Sequence, residues 1–509
     1  MSPILLFSFV IGYFLLLLAV AWYTGRNSTN ESFFIGNKNS NWMLVAFGMI
    51  GTSLSGVTFV SVPGAVGDLA GGSFKGFAYL QVALGYLLGY TVIAFILLPL
   101  YYRLNLTSIY HYLMQRVGNT AYKTGALFFI ISRTIGATAR LYLVINVLQF
   151  FILDQMGVPF IVTAAIILLM ILLYTFEGGV KTIVYTDTLQ TSLMIAGLVV
   201  CVIFILNQLN MNLGQAINQM SDAGYLTIFN TDVNSKGFFL KQIIGGAFIT
   251  IAMTGLDQEM MQKNISVKRL GDSQKNVLSL AVILVSVLVL FLFLGGLLYL
   301  FAVSKGAMYQ EVMVNGTKVQ HLILDQKNII GDKVFPSVAM QYLPPAIGIL
   351  FIIALISALF PSADGALTAL TSSFCIDILG LQQREGWTEQ QKKRTRLTVH
   401  FSFTIVFLIC ILIFYKINDN SIIEVILDLA GYTYGPLLGL FAFGIFTKRS
   451  LPDHMGITAL ALLAPVLSYL LSKQAPVLFN GYQIGIELLL INGLITFAGL
   501  FLLSTTKKS

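Results

Sequence analysis

Thirteen apolar runs, most of them near the ~20 residues an α-helix needs to cross a hydrocarbon core, divide this sequence from end to end. They cover roughly 3–23, 42–64, 75–100, 123–152, 159–175, 183–206, 238–262, 275–303, 338–379, 397–415, 421–446, 455–471 and 486–504. Within lipid a backbone has to satisfy its own hydrogen bonds, so runs of this length and number fold as packed helices. The expected fold class is an all-α polytopic membrane protein with about 13 transmembrane helices. Charged residues make up only 10% of the chain, against roughly 25% in a soluble protein. The ninth run is too long for one simple crossing. It is expected either to tilt strongly or to begin with an interfacial helix around Pro344 and Pro345.

Three runs carry chemistry that a plain lipid-facing helix does not use. The second contains MIGTSLSGVTFVSVPGAVGDLAGG, with Gly51, Gly56, Pro63 and Gly64 set among Thr52, Ser53, Ser55 and Thr58. The seventh contains IIGGAFITIAMTGLDQEMMQKN, where Gly245, Gly246 and Gly255 precede Asp257, Gln258, Glu259 and Gln262. Backbone leaves the helix at membrane depth only where protein or enclosed water satisfies it, and interrupted helices in matching places of two halves point to a transport site. Five steps lead from the second run to the seventh. An odd step reverses direction across the bilayer, so runs two to six and seven to eleven are expected to form an inverted repeat. The ninth run holds Ile356–Leu379, in which Ala358, Ser362 and Gly365 share one helix face. The same stretch carries Asp364, and an ionisable residue inside a span marks an ion or substrate path by default. Small residues there admit a second segment, and the Ser362 hydroxyl with freed carbonyls suits a small hard cation.

The net charge of +8, from 30 Lys+Arg against 22 Asp+Glu, is a topology signal here and not a nucleic-acid footprint. With the N-terminus outside, the inner connections carry 19 Lys and Arg and the outer ones 8, a positive-inside bias that puts the C-terminus in the cytoplasm. The first run is too long for a signal-peptide core and is expected to be kept as a span. The long outer connections, about 207–236 and 304–336, read as solvated loops; the Asn315 sequon within the second matters only in a secretory pathway. Cys201, Cys375 and Cys410 lie in apolar runs without metal-ligand or disulfide spacing. His111, His321 and His454 fall in connections, His400 lacks a partner motif, and there is no P-loop. A membrane-embedded enzyme and an ATP-driven pump are therefore unsupported.

Several stretches, in this order, resemble the sodium/solute symporter family of proline, galactose, sialic acid, iodide and monocarboxylate carriers. They are SFFIGNKNSNW (32–42), SLSGVTFVSVPGA (53–65), LTSIYHYLMQRVG (106–118), EGGVKTIVYTDTLQ (177–190), GLDQEMMQKNISVKRLGDSQK (255–275) and GYTYGPLLGLFAFGIFTKR (431–449). The resemblance covers nearly the whole length. It implies one transporter domain over 1–509 with the leucine-transporter-type 5+5 inverted repeat: an extra helix at 3–23, repeats at 42–206 and 238–446, and two helices within 455–504.

The resemblance also implies a sodium ion between the second and ninth spans, held by the carbonyls of Gly51, Leu54 and Ala358 and the hydroxyl of Ser362. Relatives usually carry two adjacent hydroxyl residues at the last position, where this chain has Pro361-Ser362. Proline removes one side-chain ligand and frees a carbonyl one turn earlier, near Ser357. Asp364 stands where some relatives bind a second sodium together with an aspartate of the sixth span, here Asp187. Two carboxylates close together in low dielectric do not both ionise without a cation. The pair is thus expected to hold sodium, with a proton as the alternative.

The family's solute pocket lies beyond the second-span break, which points to Ser55, Thr58 and Gln81. Arg133 and Arg140 are seven apart on one helix face; Arg140 aligns with an arginine seen in some relatives, and sialic acid carriers use an arginine of this span for the solute carboxylate. Asp257, Gln258 and Tyr432 are further pocket or gate candidates. The implied activity is sodium-coupled symport of a small organic solute into the cell by alternating access, leaning to a carboxylate-bearing solute. A sugar or amino acid, proton coupling through Asp187 and Asp364, and a channel or sensor stay open. The partners implied are sodium, the solute and surrounding lipid, with no nucleic acid and a monomer sufficing for transport.

Overall fold

The structure is a computed structural model that describes residues 2–25, 41–67, 74–175, 179–314, 317–384, 386–417 and 422–505. Most of the 32–42 motif, and Arg26, Lys38, Asn315, Lys507 and Lys508, lie outside the described residues. The helices in chain order are α1 (Pro3–Gly25), α2 (Trp42–Ser53), α3 (Gly56–Gly64), α4 (Tyr79–Arg103), α5 (His111–Arg116), α6 (Asn119–Met156) and α7 (Phe160–Thr175). There follow α8 (Gly179–Gln208), α9 (Leu213–Asp222), α10 (Phe239–Gly255), α11 (Gln258–Ile265), α12 (Leu270–Ser304), α13 (334–342) and α14 (Pro345–Ile378). The chain ends with α15 (Glu389–Ile417), α16 (Ile422–Thr433), α17 (Gly435–Phe446), α18 (Gly456–Leu478) and α19 (Leu488–Leu503).

Eight of these helices are long and apolar enough to cross a membrane alone. Taking each of three bent pairs, α2/α3, α10/α11 and α16/α17, as one span gives up to eleven among the described residues, and the shorter apolar helices α7 and α19 stand where the other two of the thirteen expected runs fall. The overlong ninth run resolves into the short α13, a break at Leu343-Pro344, and α14 starting on Pro345.

Each break has a local cause. Between α2 and α3 the chain bends by 52°. Ser55 is extended there, and Gly56 lies so close to α6 that a Cβ would come within 2.4 Å of Val144. Between α10 and α11 the bend is 65°, and Asp257 starts the new helix by accepting the Glu259 and Met260 N–H groups at 2.9 and 3.3 Å. The third bend, 46° between α16 and α17, is not among the two interruptions expected from sequence. Pro436 has no N–H for the Tyr432 carbonyl, and Asn492 of α19 donates to that carbonyl instead, at 2.9 Å, and to the Gly431 carbonyl at 3.0 Å.

Glycines bring backbones into direct contact where the two repeats meet. A Cβ on Gly85 of α4 would lie 2.1 Å from the Ile243 carbonyl of α10, and one on Gly246 would lie 2.4 Å from the Val82 carbonyl. This is the small-residue packing that membrane helices use in place of a hydrophobic drive.

The connections expected to be solvated loops are ordered instead. The first contains α9, closed by a reciprocal capping box between Asn212 and Gln215. The second folds into an antiparallel sheet of order β1-β2-β3, formed by Met308–Val314, Thr317–Leu324 and Lys327–Asn328. It is tied to the first by Tyr225 and Tyr309, whose hydroxyls are 2.9 Å apart. Beside the sheet, the Tyr299 hydroxyl donates to the Gly64 carbonyl at 2.6 Å and accepts the Gly331 N–H at 3.1 Å. The end of α3 is thereby pinned to this connection.

Candidate functional site

The break between α2 and α3 lies against the middle of α14. A Cβ on Gly51 would meet Pro361 Cγ at 3.4 Å, and one on Gly56 would reach Leu359 Cα at 4.0 Å. Gly51, Leu54, Ala358 and Ser362 are all buried on the two facing segments. Leu54 (φ −90°, ψ 60°) leaves the helical region, which turns its carbonyl out of the helical ladder. Ser362 Oγ donates to the Leu359 carbonyl at 2.9 Å and keeps its lone pairs for an electrophile. Pro361 lies inside α14, so the Ser357 carbonyl lacks its helical donor.

Next to the break is a cavity of about 100 Å³ whose polar wall includes Thr52, Thr58, Tyr86, Tyr90, Arg133 and Arg140. Pockets for drug-sized ligands hold roughly 300–1,000 Å³, so a solute of more than a few heavy atoms needs this cavity to widen. Both arginines come from α6. Arg133 Nε and Arg140 Nη1 are buried without a hydrogen-bond partner, so each guanidinium keeps an unsatisfied donor.

The other expected solute residues divide. Thr58 and Arg140 line the cavity; Ser55 and Gln81 are buried beside it but are not part of its wall. Gln81 Nε2 donates to the Ala78 carbonyl at 3.0 Å. Gln258 is not a pocket residue. Its amide bridges the Thr107 carbonyl and the Ile109 N–H, both at 3.0 Å, fixing α11 to the connection before α5. Tyr432 is displaced as well: its ring packs toward Tyr469 of α18. Two residues on, where the bend redirects the chain, the Tyr434 hydroxyl donates to Asp257 Oδ2 at 3.0 Å. Tyr434, not Tyr432, faces the broken helix.

Asp187 and Asp364 are both fully buried, but their partners differ from those expected. Asp364 accepts the Tyr174 hydroxyl of α7 at 2.7 Å and its neighbour's N–H, that of Gly365, at 2.5 Å. Asp187 Oδ2 accepts Lys263 Nζ of α11 at 2.8 Å, and the same ammonium donates to Thr52 Oγ1 at 2.7 Å. Lys263 is therefore no inner-loop charge: it is buried, and its ammonium stands beside Asp187, one of the two carboxylates expected to hold sodium or a proton. Glu259, one turn earlier on α11, pairs with Arg133. The sequence carried a signal for this pair of charges, since Glu259 and Lys263 at i and i+4 share a helix face.

The sequence profile of the sodium:solute symporter family matches residues 33–452. This chain belongs to that family. The symporter is 22% identical to the sodium/sialic acid symporter NanT of Aliivibrio fischeri, over 94% of this chain and 90% of the relative. It is also 22% identical to the sodium/sialic acid symporter SiaT of Proteus mirabilis, over 92% and 89%. Against the human sodium-coupled monocarboxylate transporter 1 identity is 24%, over 84% of this chain and 66% of that one. The fold is that of a Na+-coupled sialic acid symporter solved in a substrate-bound, outward-open state, with a TM-score of 0.77 at 19% identity over 98% of this chain and 97% of the other. The symporter is thus an integral membrane protein of the leucine-transporter fold that couples the movement of a solute to sodium by alternating access.

Proposed function

We propose that the symporter carries a small carboxylate-bearing solute into the cell, driven by sodium held at the seam between the α2/α3 break and α14. The observation that carries the solute reading is the pair of arginines in the cavity wall, each with a buried N–H lacking a partner. A guanidinium holds a carboxylate through two parallel hydrogen bonds, and leaving such donors unmade costs about 1–3 kcal/mol each. The Gly56 start of α3 adds backbone N–H groups and a positive dipole end.

Sodium ligands in this reading are the carbonyls of Gly51, Leu54 and Ala358 and the Ser362 hydroxyl, an oxygen-only set suited to a hard cation. The ion stitches a half-helix that ends in the cavity wall to a helix of the opposite repeat. Solute and sodium then tighten each other by the same factor. With the N-terminus outside and repeats over 42–206 and 238–446, each sodium moving inward down an inside-negative potential of ~100 mV supplies about 2.3 kcal/mol.

Purified symporter reconstituted in liposomes tests this with labelled sialic acid, lactate, glucose and proline under sodium or potassium gradients. Sodium-driven accumulation of an acid above its external concentration is expected. Accumulation of glucose alone would replace the carboxylate with a sugar, and equal uptake in potassium would remove the sodium seam.

A further inference from the structure

A row of buried charges runs from the cavity to α14, and neither the sodium seam nor the arginine pair explains its middle member. Arg133 lines the cavity and is bonded to Glu259 Oε2. Glu259 Oε1 lies 3.6 Å from Lys263 Nζ, and Lys263 Nζ lies 2.8 Å from Asp187 Oδ2. None of the four is more than 4% exposed. Glu259 Oε1 makes no hydrogen bond. It presses on Gly365, where a Cβ would come within 2.2 Å of it. Gly365 adjoins Asp364 and lies one turn from Ser362. One carboxylate therefore touches the cavity arginine with one oxygen and the α14 seam with the other.

A buried guanidinium left without an anion is strongly unfavourable, so Arg133 needs a carboxylate whether or not solute is present. Glu259 holds Nη2 alone, Nε has no partner, and Asp257 Oδ2 lies 4.0 Å from Nη1. An arriving acid that grips the Nε/Nη2 edge with two parallel hydrogen bonds therefore competes with Glu259 for Nη2.

We propose that Glu259 is an internal substitute for the solute's carboxylate: it holds Arg133 while the cavity is empty, and an anionic solute displaces it toward α14. Its negative charge is then left between Lys263 and the seam, beside Asp364, where a further cation compensates it. Sodium and solute favour each other through this displaced charge as well as through the half-helix. Glu259 touches neither cargo and is a positioning residue. The inference rests on the carboxylate reading above and names the side chain that couples the two cargoes within it.

The test is binding of sialic acid and of lactate to the detergent-purified protein, each with saturating sodium and with potassium alone, for wild type and Glu259→Gln. In wild type, sodium is expected to tighten binding of the acid by about tenfold or more, within the usual range of coupling between sites. In Glu259→Gln the acid is expected to bind more tightly without sodium, and the factor is expected to fall toward one. Glu259→Asp restores part of it, which a merely structural role does not predict. The methyl ester of the binding acid, applied to wild type, checks the same step without a substitution, because an ester does not take Arg133 from Glu259. Its binding is expected to show no sodium factor. An unchanged sodium factor in Glu259→Gln, or an ester that keeps the full factor, overturns the proposal while leaving the carboxylate reading intact. Failure of both acids to bind wild type overturns that reading and this proposal with it.

Discussion

Lys263 alters what Asp187 can be asked to do. Its ammonium already sits 2.8 Å from the carboxylate, so Asp187→Ala does more than delete a ligand. It strands a buried cation, and breaking such a pair costs about 3–5 kcal/mol. A marked drop in thermal unfolding temperature is expected for Asp187→Ala or Lys263→Met alone, with most of it recovered in Asp187→Asn/Lys263→Met. Two single variants as stable as wild type would show that the pair carries no charge. Ser362→Ala is expected to act differently, leaving stability nearly unchanged and raising the half-saturating sodium concentration of uptake by about 10–100-fold. That follows from the 1.5–3 kcal/mol that a hydroxyl contributes to a charged partner; an unshifted sodium curve would remove Ser362 from the seam. At this scale the positions of Thr58 and Arg140 in the cavity wall and of Ser362 on the buried face of α14 are legible, because polar side chains stand out in apolar runs. Lys263 is not, because it falls at the end of a run, where a lysine ordinarily counts as topology. GYTYGP carries both Tyr432 and Tyr434, and only the bend decides which one turns inward.

Helices and their breaks follow from chemistry of different range. The first two interruptions are written locally, in glycines, hydroxyls and an N-capping aspartate, and both lie where the sequence puts them. The third depends on Pro436 and on Asn492, whose amide replaces the missing donor from another helix; no window along the chain contains that pairing. The outer sheet is a different case. The runs 308–314 and 317–324, with Asn315-Gly316 between them, carry a hairpin signal that a reading as solvated loop leaves unused. Packing at the contact of α4 with α10 gives the sharpest prediction for an element. Gly85→Val drives side-chain atoms into the Ile243 carbonyl, and overpacking of this kind costs about 1–3 kcal/mol or more. Gly271→Ala in the first turn of α12, where nothing lies within 4 Å, is expected to be neutral or to gain up to about 1 kcal/mol. Unfolding temperatures in detergent compare the two, and equal losses would contradict the backbone contact.

Across the whole molecule, the distribution of Lys and Arg predicts which end faces which compartment. Lys473→Cys is expected to react with a membrane-impermeant maleimide on intact cells, and Lys392→Cys only after permeabilisation; the reverse pattern would invert the topology. Sodium, not potassium, is expected to raise the unfolding temperature in proportion to RT ln(1 + [Na+]/Kd), because only the folded bundle brings α2 and α14 together. The repeat architecture was legible from the odd spacing of two interrupted spans. The cavity's volume was not, because it is set by how rigid bodies meet and not by any one helix.

One consequence concerns the far end of α3. This half-helix is nine residues long, about 13 Å at 1.5 Å per residue, and Tyr299 rivets its tip to the connection that carries the sheet. A strut that short does not bend in its middle. With the ion seated at the α2/α3 break as proposed, that seat and the sheet-bearing connection are two ends of a single lever, and loosening the rivet with Tyr299→Phe is expected to change how fast the carrier cycles while leaving both cargo affinities where they were.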